Sequence, residues 1–313
     1  MPYSTDMEFY LKVLVLALIQ GAAELLPVSS SAHVILAEKL MGLEPKKPDM
    51  LFLLIMLHTG TMFAAIVYFW SAWKKLLTPQ KDPTTFLGGA VRLPLWLRLL
   101  FFVRRHRFIF LVLLATAVTG VFGLGLKFLI EKVVMERLLG REKGEVEDMF
   151  DNLRLIGAAL AAVGLLIMAS SVFDKAGPGG VLTPMRAVLI GLVQGLVLPF
   201  RGFSRSGSTI SVGLVSGLPR KLAEEFSFAL AVVLTPAVIV RYTDRLFKSP
   251  EAANTRWFEL ILPGLIGMVL SFLSGLAALR LLGAVLEGGR WAWFGIYCLL
   301  FACVMFWAAW WGL

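Results

Sequence analysis

The sequence predicts an all-α membrane protein with six transmembrane helices and two re-entrant helical hairpins, arranged as an inverted-topology repeat. First, 58% of the 313 residues are hydrophobic, the mean hydropathy is +0.80 and only 16% of the residues are charged, against roughly 25% in soluble domains. Second, six apolar runs are long enough to cross a bilayer, which takes about 20 helical residues. Third, two further apolar stretches are interrupted in the middle by Pro, Gly and hydroxyl residues.

The six predicted crossings are apolar runs with few charges, at residues 51–70, 108–130, 153–173, 223–243, 257–284 and 290–312. The two interrupted stretches are 9–42 and 184–218. Proline breaks helices, and irregular backbone at membrane depth is tolerated only where protein or a water-filled cavity surrounds it. Each interrupted stretch therefore predicts two half-helices joined by a turn inside the membrane, which is a re-entrant hairpin.

The two interrupted stretches resemble each other. The first contains Gln20-Gly21, Leu26-Pro27 and Ser29–Ser31, and the second contains Gln194-Gly195, Leu198-Pro199 and Ser204–Ser206. Because a hairpin enters and leaves on one face, three crossings between the hairpins place them on opposite faces. We expect a single membrane domain over 1–313, with inverted halves at 9–173 and 184–312 and a site near the midplane.

Charges in the loops predict the orientation. The face reached after the first crossing has an excess of basic residues, including Lys74, Lys75, Arg104, Arg105 and Arg107, whereas the charges on the other face nearly balance. Cytoplasmic loops collect Lys and Arg, so the mouth of the first hairpin is expected to face the periplasm or the cell exterior. The net charge of +9 then needs no nucleic-acid partner, because the sequence has no basic stripe interleaved with aromatic residues.

Polar residues gather in the first interrupted stretch: Gln20, Glu24, Ser29, Ser30, Ser31 and His33. Gln20 and Glu24 share one helix face, Pro27 ends that helix, and one of the serines would N-cap the returning helix. Such a site could bind phosphate at the helix N-terminus, activate a hydroxyl and hold a divalent cation through Glu24. The alternative is that the serines cap a kink while Glu24 pairs with an arginine.

The second interrupted stretch contains a run of Gly, Ser and Arg from Arg201 to Thr209. A guanidinium can contact phosphate oxygens with two N–H groups, and glycines let backbone N–H groups approach an anion. The pattern predicts a phosphate-binding loop around Arg205, with an ordinary polar turn as the alternative. His58 begins the first crossing and could line the site, but satisfaction by a neighbouring group explains it equally well.

These residues resemble the integral-membrane undecaprenyl-diphosphate phosphatases of the bacitracin-resistance type. The similarity covers both halves in the expected order, in four blocks at 20–30 with His33, 57–61, 202–209 and 225–231. Two positions depart from the family pattern: Gln20 stands where the family often has Glu, and Arg201 stands where it usually has Pro.

The resemblance implies hydrolysis of undecaprenyl diphosphate to undecaprenyl phosphate and inorganic phosphate, which recycles the lipid carrier for peptidoglycan and other envelope polymers. It also implies the bacterial inner membrane, where the loop charges predict an active site that opens toward the periplasmic side. The expected partners are the prenyl diphosphate lipid and membrane lipid. The sequence does not decide whether the protein forms a homodimer.

The roles that the resemblance and the chemistry imply divide between the two stretches. Ser30 would attack the terminal phosphorus, and His33 would accept its proton or activate a water. Glu24 would hold Mg²⁺ or Ca²⁺, with Gln20 as a neutral helper. Arg205 would neutralise the diphosphate, and the remaining substrate-binding positions would be Ser29, Gly202, Ser204, Ser206, Gly207 and Thr209.

Two other classes of protein compete with a hydrolase. A lipid-carrier transporter or flippase could use the same inverted repeat with broken helices. A purely structural membrane protein would leave the intramembrane polar residues without a purpose. The presence of Ser, His and Glu in one hairpin favours hydrolysis.

Overall fold

A computed structural model describes residues 7–45, 47–77, 106–132, 152–173, 180–249, 251–255 and 257–313. These ranges contain ten α-helices, a 3₁₀ turn at Ala252–Asn254 and no β-strand. The helices are α1 Met7–Leu25, α2 Ser30–Leu40, α3 Pro48–Leu77, α4 Arg107–Leu129, α5 Leu153–Ser171, α6 Pro184–Val197, α7 Arg205–Val215, α8 Arg220–Lys248, α9 Trp257–Glu287 and α10 Ala292–Trp310.

Six of these helices, α3, α4, α5, α8, α9 and α10, are long and apolar enough to cross a membrane. They coincide with the six predicted runs, so that prediction is confirmed. Large apolar side chains stand exposed on their outer faces, such as Val121, Phe258 and Trp310. Exposed apolar surface on this scale is what lipid covers, and the chain is a multi-pass membrane protein.

The two interrupted stretches each form a pair of shorter helices. In the first, α1 ends at Leu25 and α2 begins at Ser30; in the second, α6 ends at Val197 and α7 begins at Arg205. Both breaks contain a proline, which cannot donate the backbone hydrogen bond that a continuing helix needs. Each stretch therefore folds as two helices joined by a short turn.

Close helix packing depends on glycines. Helix α1 packs against α9, and α6 packs against α4. A Cβ atom on Gly21 would lie 2.5 Å from the Ser271 carbonyl oxygen, and one on Gly195 would lie 3.0 Å from the Thr119 carbonyl oxygen. Small residues let helix backbones approach closely in a bilayer, so these two glycines fix how the broken segments meet the crossings.

A buried polar connection fixes the position of α7. Trp291 Nε1 donates to Ser170 Oγ at 2.9 Å, and Ser170 Oγ lies 2.9 Å from Ser211 Oγ. The three residues come from the start of α10, the end of α5 and the middle of α7. Together with the apolar core around Ile156, which is fully buried, they hold the helix whose first residue is Arg205.

Candidate active site

The turns of the two interrupted stretches are in direct contact. The Gly202 backbone N–H donates to Ser31 Oγ at 3.0 Å, and Ser206 Oγ donates to the Leu26 carbonyl oxygen at 3.2 Å. Gly202 has a φ of 92°, a backbone conformation that glycine adopts without strain. The polar residues of both halves of the sequence therefore form one cluster.

Glu24 is at the centre of this cluster. Its Oε1 accepts a hydrogen bond from Arg205 Nη2 at 2.9 Å, while its Oε2 accepts from Ser30 Oγ at 2.5 Å and from Gln20 Nε2 at 3.2 Å. Only 16% of the Glu24 side chain and 18% of the Arg205 side chain are exposed. Glu24 does pair with an arginine, as the structural alternative expected, but the same carboxylate also binds the serine hydroxyl.

The N-terminus of α2 differs from the expected serine cap. Ser29 occupies the N-cap position, but its side chain accepts no hydrogen bond from the helix backbone. Its φ is 68°, which is strained for a residue with a side chain, and its Oγ lies 3.2 Å from Ser31 Oγ. Because Ser29 does not cap α2 with its side chain, the first backbone N–H groups of the helix could bind an anion.

The second turn carries the cap that the first lacks. Ser204 is the N-cap of α7 and accepts from the Gly207 backbone N–H at 3.2 Å. The hydroxyls of Ser204 and Ser206 are 3.4 Å apart and both residues are buried. Serine hydroxyls and helix N–H groups thus surround the base of the Arg205 side chain.

Thr209 was expected to bind substrate, and the structure places it elsewhere. It is fully buried, with Oγ1 2.9 Å from the Arg205 carbonyl oxygen and 2.6 Å from Ser227 Oγ. Thr209 lies one helical turn beyond Arg205, on the side of α7 that faces α8. Its hydroxyl therefore forms a hydrogen bond between the two helices. Thr209 therefore supports the helix and does not line the polar cluster.

His33 also differs from the expectation that it lies beside the exposed serine. Its Nδ1 is 2.8 Å from the Ser29 carbonyl oxygen, and its Nε2 is 2.7 Å from Tyr297 Oη. A carbonyl only accepts hydrogen bonds, so Nδ1 carries the hydrogen and Nε2 accepts from the tyrosine. The ring stacks on Phe301 with centroids 3.9 Å apart. Both ring nitrogens are thus engaged away from Ser30, whose hydroxyl donates to Glu24 instead.

His58 enters the cluster instead, which the sequence left open. Its Nδ1 accepts from Gln20 Nε2 at 3.1 Å, and its ring stacks near Tyr242 with centroids 5.7 Å apart. The sequence suggested a histidine at a helix start, whereas α3 begins at Pro48 and His58 lies well inside it. An imidazole within a crossing, at the depth of Glu24, was the signal that could have identified it.

The residues around Glu24 suit a cation that takes part of its coordination from the substrate. No group of three or more His, Cys, Asp or Glu side chains placed to hold a metal occurs in the described part of the chain. Mg²⁺ commonly binds one or two carboxylates and completes its shell with water and phosphate oxygens. Glu24 supplies the carboxylate of that pattern, whereas Gln20 could add its amide oxygen only after the amide turns, because its Nε2 donates to Glu24 Oε2. Ca²⁺ prefers six to eight oxygen ligands.

Comparisons with known proteins identify the family of the chain. The chain is 54% identical over 299 residues to "Undecaprenyl-diphosphatase 2" of Acinetobacter baylyi, covering 94% of this chain and 96% of the relative. It is 32% identical to "Undecaprenyl-diphosphatase" of Desulfatibacillum aliphaticivorans (93% and 95% covered) and 31% identical to that of Korarchaeum cryptofilum (92% and 95% covered). The family described as "Bacitracin resistance protein BacA" matches residues 13–304. The chain belongs to the BacA family.

Proposed function

We propose that this membrane protein hydrolyses undecaprenyl diphosphate to undecaprenyl phosphate and inorganic phosphate. The observation that carries the proposal is the Ser30–Glu24–Arg205 connection, which places a hydroxyl, a carboxylate and a guanidinium together between membrane helices. The relatives in the same family are named for this activity. A transporter has no support from those names, and transport alone does not need an activated hydroxyl.

The architecture proposed for this function is a pair of re-entrant hairpins, α1–α2 and α6–α7, in two inverted halves. Equivalent contacts between the halves support it: α1 of the first half packs on α9 of the second, and α6 of the second half packs on α4 of the first. Gly21 and Gly195 follow equivalent glutamines and both lie at these contacts. Inverted repeats of this kind place their sites at the meeting of the broken helices.

Arg205 would bind the diphosphate together with the N-termini of α2 and α7. The guanidinium offers several N–H donors in one plane, which suits the oxygens of a phosphate group. Ser29, Ser204, Ser206, Gly202 and Gly207 surround this place and would shape the pocket. Glu24 releases Arg205 only when an anion takes over its N–H groups, so the ion pair keeps the guanidinium in position before substrate arrives.

Ser30 would be the nucleophile. Its Oγ attacks the terminal phosphorus while the bridging P–O bond breaks, and undecaprenyl phosphate leaves. The Ser30 hydroxyl donates to Glu24, so the carboxylate is placed to take the proton in this step. Water then cleaves the phosphoserine, which releases inorganic phosphate and restores the hydroxyl. His33, held by Ser29 and Tyr297, would fix the turn that presents Ser30.

We also propose that Glu24, helped by Gln20, holds a divalent cation when substrate is bound. Such a cation would neutralise negative charge on the diphosphate.

The protein would lie in the bacterial inner membrane with the site open to the periplasmic side, since the basic loops mark the cytoplasmic face. Substrate would enter from the lipid between the crossings.

Phosphate release from undecaprenyl diphosphate by the purified protein tests the proposal. We expect Arg205→Ala to lose at least about 100-fold in rate, as loss of a transition-state charge contact does, while Arg154→Ala at the exposed start of α5 keeps the parent rate. EDTA should abolish release and added Mg²⁺ should restore it. Parent activity in Arg205→Ala would refute the assignment of Arg205. Lipid counterflow in liposomes without phosphate release would favour a transporter.

A further inference from the structure

A cavity with several charged lining residues lies away from the proposed diphosphate site. It has a volume of about 600 Å³ and opens between the ends of α3, α8 and α9. Its charged lining residues are Arg220, Lys221, Glu224, Glu225 and Glu287, and Tyr68 is one of its aromatic lining residues. None of these residues has a role in the proposed hydrolysis.

Helix geometry separates this cavity from the first site. His58 lies in the first site, and Ala72 lines the cavity 14 residues further along α3, which is about 21 Å at 1.5 Å per residue. On α8, Tyr242 lies beside His58 and Glu224 lies 18 residues earlier, which is about 27 Å. The cavity therefore lies toward one end of the crossings, roughly 20 Å or more from the first site along the helix axes.

Glu224 is the unusual residue in this cavity. It is 6% exposed, and its Oε1 is buried without a hydrogen-bond donor in the part of the chain that the structure covers. Neither Glu224 nor the neighbouring Glu225 forms an ion pair with a described residue. Buried carboxylates are normally paired or hydrogen-bonded, so Glu224 lacks a donor that a ligand could supply.

The N-terminus of α8 lies in the same cavity, one helical turn before Glu224. Its N-cap residue is Pro219, which has no side chain that can accept from the first backbone N–H groups. Those groups and the helix dipole favour an anion. The exposed Lys221 lines the cavity close to Glu224 and Glu225. The helix N-terminus, which attracts an anion, and Glu224, which attracts a cation, are thus about 5–6 Å apart, because residues one helical turn apart have this spacing.

We propose that this cavity binds the headgroup of an aminophospholipid of the ethanolamine type, with its ammonium at Glu224 and its phosphate at the N-terminus of α8 beside Lys221. A primary ammonium has three N–H donors and can satisfy a buried carboxylate oxygen. A trimethylammonium headgroup has no such donor, and a glycerol headgroup has no positive charge. The pairing of opposite charges at short spacing matches a zwitterion and selects against both alternatives.

The surroundings of the cavity suit a lipid. It lies where long membrane-crossing helices end, so a headgroup would be at the depth of the membrane interface. Apolar side chains complete the wall, including Leu214, Leu218 and Leu286, and can cover the start of the acyl chains. Loop charges place this end on the basic, cytoplasmic face.

Native mass spectrometry of the purified full chain, with lipids of identical acyl chains, tests the proposal. We expect phosphatidylethanolamine to bind in preference to phosphatidylcholine and phosphatidylglycerol. Glu224→Gln, which keeps the shape and removes the charge, should lower phosphatidylethanolamine binding about tenfold, as loss of a hydrogen bond to a charged group does. Asp244→Asn, at the other end of α8, should keep the preference. Equal binding of the three lipids, or a preference that survives Glu224→Gln, overturns the proposal.

Two further measurements separate the lipid from simpler ligands. Soluble phosphoethanolamine in excess should displace the lipid, whereas ethyl phosphate, which lacks the ammonium, should not; displacement by both or by neither overturns the proposal. Displacement by millimolar Mg²⁺ would identify a metal site instead. If Glu224→Gln does not fold, Lys221→Gln on an exposed side chain tests the phosphate end, and unchanged phosphatidylethanolamine binding in that variant overturns the assignment.

Discussion

Glu24 makes direct hydrogen bonds to Gln20, Ser30 and Arg205, and this connectivity was only partly predictable. Polar groups at membrane depth need partners, so the sequence alone indicated that Glu24, Ser30 and Arg205 belong together. It could not show which histidine joins them. That depends on the direction in which α2 leaves the turn, which the φ of 68° at Ser29 sets.

At the residue scale, Ser30→Ala tests the nucleophile. The variant removes the hydroxyl that donates to Glu24 and leaves the ion pair with Arg205 intact. We expect phosphate release to fall by at least about 100-fold, the lower end of what positioned acid–base groups contribute. Ser171→Ala removes a hydroxyl at the end of α5 that donates to the Met168 carbonyl oxygen of the same helix and should retain full activity. A 32P-labelled serine in the parent protein, absent from Ser30→Ala, would identify the covalent intermediate.

The contacts of His33 lead to a separate prediction. His33→Gln keeps an N–H group that can reach the Ser29 carbonyl but removes the titrating ring. If His33 positions the turn, the variant should lose activity several-fold while the acidic limb of the rate–pH profile stays where it is in the parent. If the acidic limb disappears in His33→Gln but is still present in Glu24→Gln, His33 is the base instead.

At the scale of helices, apolar run length predicted every crossing but not the ends. Helix α3 begins at Pro48 and ends at Leu77, beyond the predicted 51–70, because polar and aromatic residues extend a helix into the interface without adding to the apolar run. The breaks at Pro27 and Pro199 could be predicted from the sequence, because proline has no backbone N–H and interrupts a helix. Which helices pack against each other depends on where two helix backbones come close together, and the apolar content of the sequence does not show this.

Two glycines in crossings provide a matched test of such an approach. A Cβ on Gly60 would collide with the Met268 carbonyl oxygen of α9, whereas a Cβ on Gly120 would meet nothing within 4 Å. Gly60→Ala should therefore lower stability by about 1–3 kcal/mol, as overpacking does. Gly120→Ala should be neutral or gain up to about 1 kcal/mol from helix propensity. Thermal unfolding in detergent measures both, and equal effects would contradict the α3–α9 contact.

At the scale of the whole molecule, the number of crossings followed from the sequence, while the packing of the two halves did not. The charged segments 80–107 and 131–152 resemble a cytoplasmic interfacial stretch and a solvated amphipathic helix outside the membrane. They lie almost entirely outside the described residues, so these two predictions stay untested. The orientation stays a prediction that rests on loop charge. It can be tested directly because the two exposed loops at Glu251 and Gly288 lie at opposite ends of α9.

Cysteine labelling of intact cells tests that orientation. In a Cys303→Ser background, where the remaining Cys298 is buried, Glu251→Cys should react with a membrane-impermeant maleimide. Gly288→Cys should react only after the cells are permeabilised, because the basic loops are expected to be cytoplasmic. The opposite labelling pattern would place the diphosphate site on the cytoplasmic face.

The ion pair between Glu24 and Arg205 joins residues 181 positions apart. This separation matters while the protein is being synthesised and inserted into the membrane. A ribosome adding roughly 5–20 residues per second needs about 10–40 s to proceed from one to the other. Throughout that time Glu24 lacks its Arg205 partner, and a carboxylate without a cationic partner is costly in hydrocarbon. We therefore expect the first broken segment to stay in contact with water, at the membrane surface or within the insertion machinery, until Arg205 has been made.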